Sequence, residues 1–151
     1  MGKIDDIYMS EAFKQAERAF AEDEVPVGAV IVHQRRIIAR AYNQVEKLKD
    51  PTAHAEMIAI TQAASLLGGK WLVGASIYVT IEPCSMCAGA LVLARVKEIV
   101  YGADDLKTGA CGSVMNIAGT NKLNHKIRVK NGVLGKECGF LLTEFFKKKR
   151  K

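Results

Sequence analysis

The chain has 151 residues, 49% of them apolar, which is enough for a packed core, so we expect a single domain over residues 1–151. Its longest apolar run, near residues 86–94, is far short of the roughly 20 residues that a membrane helix needs. The acidic N-terminal residues lack the apolar stretch of a secretory signal, so we expect a cytoplasmic protein. The net charge of +6 and the basic residues at 147–151 favour a polyanionic partner, although a solvated tail explains them equally well.

The first half of the chain predicts two helices and a hairpin. Apolar residues at helical spacing indicate an amphipathic helix over residues 6–21. Apolar runs at 27–32 and 36–42 predict two paired strands, and a polar loop follows at 43–52. Residues 53–67 have a helical apolar face that ends at a Gly-Gly pair.

The second half alternates strands with helices. It predicts a strand at 76–81, a helix at 84–94 and a strand at 98–101. Residues 104–124 are Gly-rich with little periodicity, which is typical of a functional loop. A last strand at 127–129 precedes a final helix, whose apolar face is formed by Leu141, Leu142, Phe145 and Phe146. This order predicts an α/β layered domain with a partly parallel sheet, in which sites collect where strands end and helices begin.

Two motifs fall at predicted helix starts: Thr52-Ala53-His54-Ala55-Glu56 and Glu82-Pro83-Cys84-Ser85-Met86-Cys87. The spacing of Cys84 and Cys87 directs both thiolates to one side of a helix start, where they can bind one ion. His54 and Glu56 are about 200° apart around a helix, so they converge only on something beyond its tip. A metal between two helix N-termini meets this condition, since the positive helix ends favour thiolates.

Three ligands, His54, Cys84 and Cys87, leave a fourth tetrahedral position open, which is typical of catalytic zinc. Glu56 is then predicted to carry protons for a water activated at the metal. The combined pattern is typical of zinc-dependent nucleobase deaminases. Two alternatives stay open: a redox-active CxxC pair, or a structural zinc site that recruits His33 or His125 as a fourth ligand.

Further stretches extend the pattern over essentially the whole chain from Glu24-Val25-Pro26-Val27-Gly28-Ala29 onward. They are Asn43, residues 50–56, 80–90 and 101–109, Leu123-Asn124-His125, and Phe145-Phe146 followed by basic residues. Together they resemble the bacterial tRNA-specific adenosine deaminases. The zinc motifs alone are shared with cytidine, deoxycytidylate, guanine and riboflavin-pathway deaminases, so the substrate assignment depends on the middle loop and the C-terminal helix.

The resemblance implies a cytidine-deaminase-like three-layer α/β/α sandwich with a mixed central sheet of about five strands. It implies one zinc ion per chain, a homodimer, and tRNA as the partner. The reaction it implies is hydrolytic conversion of adenosine to inosine at the wobble position of the anticodon of an arginine tRNA.

The resemblance also assigns roles by position. Glu56 would move protons, Asn43 would hydrogen-bond the base edge, and the Ala55 amide would lie close to the base. The flanking nucleotides and the anticodon loop would be contacted by Asp104, Asp105, Lys107, Phe145, Phe146 and Arg150.

Simpler roles compete with these assignments. Core packing is the alternative for Phe145 and Phe146, and a solvated turn is the alternative for Asp104 and Asp105. The competing functions are a small-molecule deaminase acting on guanine, cytosine or a free nucleoside, and a non-enzymatic zinc or redox module.

Overall fold

The computed structural model describes residues 2–150. Its elements in chain order are α1 (Lys3–Ala21), β1 (Gly28–His33), β2 (Arg36–Tyr42), α2 (Val45–Leu48), α3 (Ala55–Leu67), β3 (Ser76–Ile81), α4 (Ser85–Ala94), β4 (Glu98–Ala103), β5 (Arg128–Lys130) and α5 (Gly135–Lys149). Within this part of the chain, no helix combines the length and apolarity that crossing a bilayer requires.

The strands form one mixed sheet in the order β2-β1-β3-β4-β5. Strand β1 pairs antiparallel with both β2 and β3, whereas β3, β4 and β5 run parallel. The predicted α/β class and five-stranded mixed sheet are confirmed. Because β3 and β4 are parallel, their carboxyl ends meet at one edge of the sheet, beside the start of α4.

Helices cover both faces of the sheet. Successive strand residues point to opposite faces, so Ile31, Ile77 and Ile99 join a core beneath α3 and α4. Their neighbours Val30 and Tyr78 join a second core beneath α1, and α5 packs on the same side against β4. Burial on both faces explains why these strands are continuous apolar runs rather than alternating ones.

The structure differs from the sequence-based expectation mainly between residues 43 and 52. This segment, predicted to be a polar loop, contains the short helix α2. The buried carboxylate of Glu24 holds its start, accepting hydrogen bonds from the amides of Glu46 (3.0 Å) and Lys47 (2.7 Å). This contact joins distant parts of the sequence, so no local pattern indicated it.

Candidate metal centre and its cavity

Both sequence motifs lie at helix N-termini. His54 is the N-cap of α3 and Cys84 the N-cap of α4, each with extended backbone dihedrals. Glu56 and Cys87 follow in the first turns of the same helices. The chain therefore brings two helix starts together, where aligned peptide dipoles favour negatively charged ligands.

The three predicted ligands form one compact cluster. Nδ1 of His54 lies 3.7 Å from Sγ of Cys84 and 3.5 Å from Sγ of Cys87. Tetrahedral zinc, with ligand bonds of about 2.0 Å to nitrogen and 2.3 Å to sulfur, separates such atoms by about 3.5 Å. The donor types and their spacing therefore fit a zinc ion.

The four-ligand structural site is wrong for the part of the chain described by the structure. Across residues 2–150, the group able to hold a metal consists of His54, Cys84 and Cys87. Nε2 of His125 lies 2.6 Å from the backbone oxygen of Val96, outside this cluster. His33, at the end of β1, is likewise not part of the cluster. One tetrahedral position consequently stays free of protein ligands.

The protonation of the donors suits a divalent cation. Hydrogen bonds from Cys87 and then from His54 lower the pKa of the Cys84 thiol to about 4. The pKa of Cys87 is raised because its thiol donates to Cys84 and is buried. The hydrogen bond with Cys84 in turn raises the pKa of His54. Cys84 is thus available as a thiolate, in contact with the Cys87 thiol and the His54 imidazole. A metal ion that binds this set displaces the remaining protons from its ligands.

Glu56 lies beside the cluster without belonging to it. Its side chain is 4% exposed, and this burial raises its pKa to about 7. A carboxyl group with a pKa near neutrality can both accept and release a proton. Glu56 is therefore a buried carboxyl group next to the cluster and outside the group of residues able to hold a metal.

A cavity of about 960 Å³ opens over the cluster. Six predicted site residues line it: Asn43, His54, Glu56, Cys84, Asp105 and Phe145. Asn43 is buried just after β2. Phe145 is also buried and packs edge-to-face against Phe20 at a ring-centroid distance of 5.9 Å, so it is a core residue that also forms cavity wall.

The other predicted contact residues lie outside the cavity wall. Asp104 is exposed and accepts a hydrogen bond from Tyr101 at 3.0 Å. Lys107, Phe146 and Arg150 are exposed on the loop and on the end of the C-terminal helix. Ala55 is buried as the first residue of α3. Of these five positions, Ala55 directly follows His54 in the chain, whereas the other four lie on the loop after β4 or at the end of the last helix.

Sequence reasoning missed several residues of the cavity wall. Thr108 lines it from the loop after β4, and Glu24 lines it from the turn after α1. Lys149 reaches across its mouth to Asp23, with 2.6 Å between Nζ and Oδ2. Glu82, in the second motif but without an assigned role, lines it as well. The only sequence signal for Glu82 was its place next to Pro83-Cys84.

Comparison with known proteins agrees with this geometry. The family model for MafB19-like deaminases matches residues 4–150. The tRNA-specific adenosine deaminase of Bacillus subtilis (strain 168) is 49% identical over 147 residues, which cover 97% of this chain and 91% of that protein.

Two solved structures are also similar. One, from studies of A-to-I editing by tRNA:A34 deaminases at the wobble position of transfer RNA, is 41% identical with a TM-score of 0.86, covering 89% of this chain and 98% of that chain. The guanine deaminase from Bacillus subtilis is 39% identical with a TM-score of 0.64, covering 69% of this chain and 66% of that chain.

The sandwich fold and the matched family model together define a deaminase. Within that class, the chain belongs to the family of the tRNA-specific adenosine deaminases. The predicted family and enzyme class are confirmed, and a non-enzymatic zinc or redox module no longer accounts for the chain.

Proposed function

We propose that the protein catalyses zinc-dependent hydrolytic deamination of adenosine to inosine at the wobble position of a tRNA anticodon, with an arginine tRNA as substrate. The observation that carries the proposal is the buried, non-ligating carboxyl group of Glu56 beside a three-ligand cluster that opens into a cavity. The similarity to a tRNA-specific adenosine deaminase over 97% of this chain supports the substrate class.

The cluster and Glu56 divide the chemistry between them. His54, Cys84 and Cys87 would hold one zinc ion, which supplies the Lewis acidity for activating a water molecule at neutral pH. Glu56 accepts a proton from the attacking water, passes one to the purine ring nitrogen, and assists departure of the amine. Water and adenosine give inosine and ammonia, and the carboxylate of Glu56 is regenerated.

Residues around the cluster orient the base. The buried amide of Asn43 would hydrogen-bond the base edge. The Ala55 N–H, at the first position of α3, has no carbonyl partner within its helix and is available as a donor near the base. The cavity of about 960 Å³ exceeds what one base needs and leaves room for adjoining groups of the RNA.

An anticodon base must leave its stack before a buried cluster can reach it, which costs a few kcal/mol. Phosphate contacts offset such costs, and the C-terminal end of α5 offers exposed cations at Lys147, Lys148 and Arg150. Exposed Phe146 would supply a stacking surface. Asp104, Asp105 and Lys107 would contact the flanking nucleotides from the loop after β4.

Deamination of free guanine is the second candidate. The cavity mouth carries the carboxylates Glu22, Asp23 and Glu46, which repel phosphate and favour a small neutral substrate. The 39% identity to a guanine deaminase points the same way. Lys47 and Lys149 pair with Glu22 and Asp23 at this mouth, so its charge is largely balanced and RNA remains the better substrate.

We also infer that the protein is a cytoplasmic homodimer. A groove of about 740 Å³, whose lining includes Met57 and Met86, runs along α4. Large apolar side chains rim it: Trp71, Leu93 and Leu123 are 50%, 78% and 46% exposed. Apolar surface of this kind is typical of a face covered by another protein surface, here a second copy of the chain.

One experiment separates the two candidate activities. The zinc-loaded protein is incubated in parallel with an anticodon stem-loop, free adenosine, free guanine and cytidine, and products are identified by mass spectrometry. We expect inosine in the stem-loop, with turnover far above that of free adenosine. Glu56→Gln should retain zinc and lose this turnover. Conversion of guanine alone would replace the proposal with the second candidate.

A further inference from the structure

Glu82 is a buried carboxylate to which the proposed chemistry gives no task. It lies between the end of β3 and Pro83-Cys84, and only 3% of it is exposed. Among the described residues, no cation forms an ion pair with it. A buried carboxylate without a cation is costly unless other donors satisfy it.

Four hydrogen-bond donors from one loop converge on this carboxylate. Oε1 accepts from the Asp105 amide at 3.0 Å and from the Ser113 hydroxyl. Oε2 accepts from the amides of Cys111 at 2.9 Å and Ser113 at 3.1 Å. A carboxylate has about four lone-pair sites, so Glu82 has no acceptor capacity left for a substrate.

The loop is shaped to approach Glu82 closely. A Cβ on Gly109 would lie 2.4 Å from both Cδ and Oε1 of Glu82, so this position has no room for a side chain. The next amide, of Ala110, donates to the Pro83 carbonyl at 2.9 Å. The loop is thus attached to the backbone that immediately precedes the metal ligand Cys84.

The attached loop carries part of the cavity wall. Asp105 lines the cavity, and its carboxylate accepts hydrogen bonds from the Lys107 amide (3.0 Å) and the Thr108 amide (3.1 Å). Thr108, ordered by this turn, lines the cavity too. The position of both wall residues therefore depends on the hydrogen bonds that Glu82 accepts.

We propose that Glu82 is a positioning residue that sets the loop of residues 105–113 against the metal centre and thereby shapes the entry for the flanking nucleotides. The expected effect on KM rests on the proposed RNA deamination. The attachment of the loop to Glu82 does not depend on that function. Glu82 touches neither the substrate nor the metal in this role, and it acts through Asp105 and Thr108.

The test compares wild-type protein with Glu82→Gln. In either orientation a carboxamide presents one oxygen, so two of the four donors lose their acceptor and face an NH₂ group. Measured by hydrogen exchange without RNA, the amides of residues 105–113 should exchange at least tenfold faster. The kcat/KM for the stem-loop should fall at least tenfold, mainly through KM, with zinc content unchanged.

Glu98→Gln is the matched control, because Glu98 is equally buried, at 5% exposed, but pairs with Arg128 at the opposite end of β4. It should lower thermal stability and leave KM and loop exchange at their wild-type values. Gly109→Ala perturbs the same contact from the loop side and should reproduce the KM effect. The double variant should be little worse than either single one, because both remove one interaction.

These measurements test the positioning role of Glu82 independently of the proposed deaminase function. Unchanged loop exchange in Glu82→Gln, or loss of its zinc, would overturn the positioning role. A KM effect of the same size in Glu98→Gln would overturn it too. If wild-type protein leaves the stem-loop unmodified, the proposed function fails, and the exchange data still decide whether Glu82 holds the loop. If Glu82→Gln does not fold, the exchange and KM of Gly109→Ala and Ser113→Ala decide.

Discussion

Replacing Gly28 by alanine tests how closely α1 packs on β1. A Cβ at this position would lie 2.1 Å from the Ala12 oxygen and 2.4 Å from the Ala16 nitrogen, both backbone atoms of α1. Ordinary contact begins at 3.4 Å, so the helix must withdraw by about 1 Å. Buried Met9 and Ala12 would then lose contact with the second core.

We expect Gly28→Ala to lower the free energy of unfolding by about 3 kcal/mol, at the upper end of the cost of overpacking. For a chain of this size, the midpoint of thermal unfolding should fall by about 6–12 °C. Urea unfolding followed by circular dichroism measures the first quantity, and calorimetry measures the second.

Gly139→Ala is the control for this experiment. It lies within α5, and its added Cβ would meet only Ala103 at an ordinary 3.6 Å. Alanine is the better helix former, so this variant should have a free energy of unfolding about 0.5–1 kcal/mol higher than wild type. If the free energy of unfolding of Gly28→Ala lies within about 0.5 kcal/mol of the wild-type value, α1 does not pack closely on β1.

Four further outcomes are expected. Cys84→Ser should bind zinc far more weakly than wild type, measured by metal analysis after dialysis; full zinc content would exclude Cys84 as a ligand. Burial opposes ionisation of Asp5, but hydrogen bonds from Tyr78 and Lys130 outweigh it and lower its pKa. Asp5→Asn should therefore lower the free energy of unfolding by about 1–3 kcal/mol at pH 7. The difference from wild type should shrink below pH about 4, as wild-type Asp5 takes up its proton, and a pH-independent difference would contradict a lowered pKa of Asp5. Leu93→Arg should convert a dimer to monomers in light scattering, whereas a wild-type monomer would remove the dimer proposal. Stem-loop affinity should fall about tenfold between about 50 and 200 mM salt if about two phosphates are contacted, and a flat response would argue against phosphate contacts.

The cluster of His54, Cys84 and Cys87 could be predicted because its signal is local. Each pair, His54 with Glu56 and Cys84 with Cys87, lies within one helix start, and helix geometry alone says where such side chains converge. The strands could also be predicted from the sequence, because burial on both faces makes them continuous apolar runs.

The contacts of Glu24 and Glu82 could not be predicted in this way. Glu24 binds amides about 20 residues later, and Glu82 binds amides about 20 to 30 residues later, across irregular segments. Nothing in the residue types distinguishes a carboxylate that organises a loop from one that faces solvent. Only the folded chain shows which backbone donors lie within reach.

The two C-terminal phenylalanines illustrate a different limit. Phe145 and Phe146 are both apolar and adjacent, and helical periodicity allows either to face the core. Contact with Phe20 on α1 decides that Phe145 is buried, whereas Phe146 is 44% exposed. Tertiary packing between the first and last helices, rather than any local pattern, separates a wall residue from a candidate RNA contact.

The attachment of the loop after β4 to Glu82 and Pro83 has a consequence for recombining this chain with its relatives. A crossover between residues 83 and 105 would join a Glu82 from one parent to donors and a Gly109 equivalent from another. The donors of the loop would then face a Glu82 carboxylate from a different parent, even where each parental segment folds well. Chimeric libraries should therefore exchange residues 82–113 as one block.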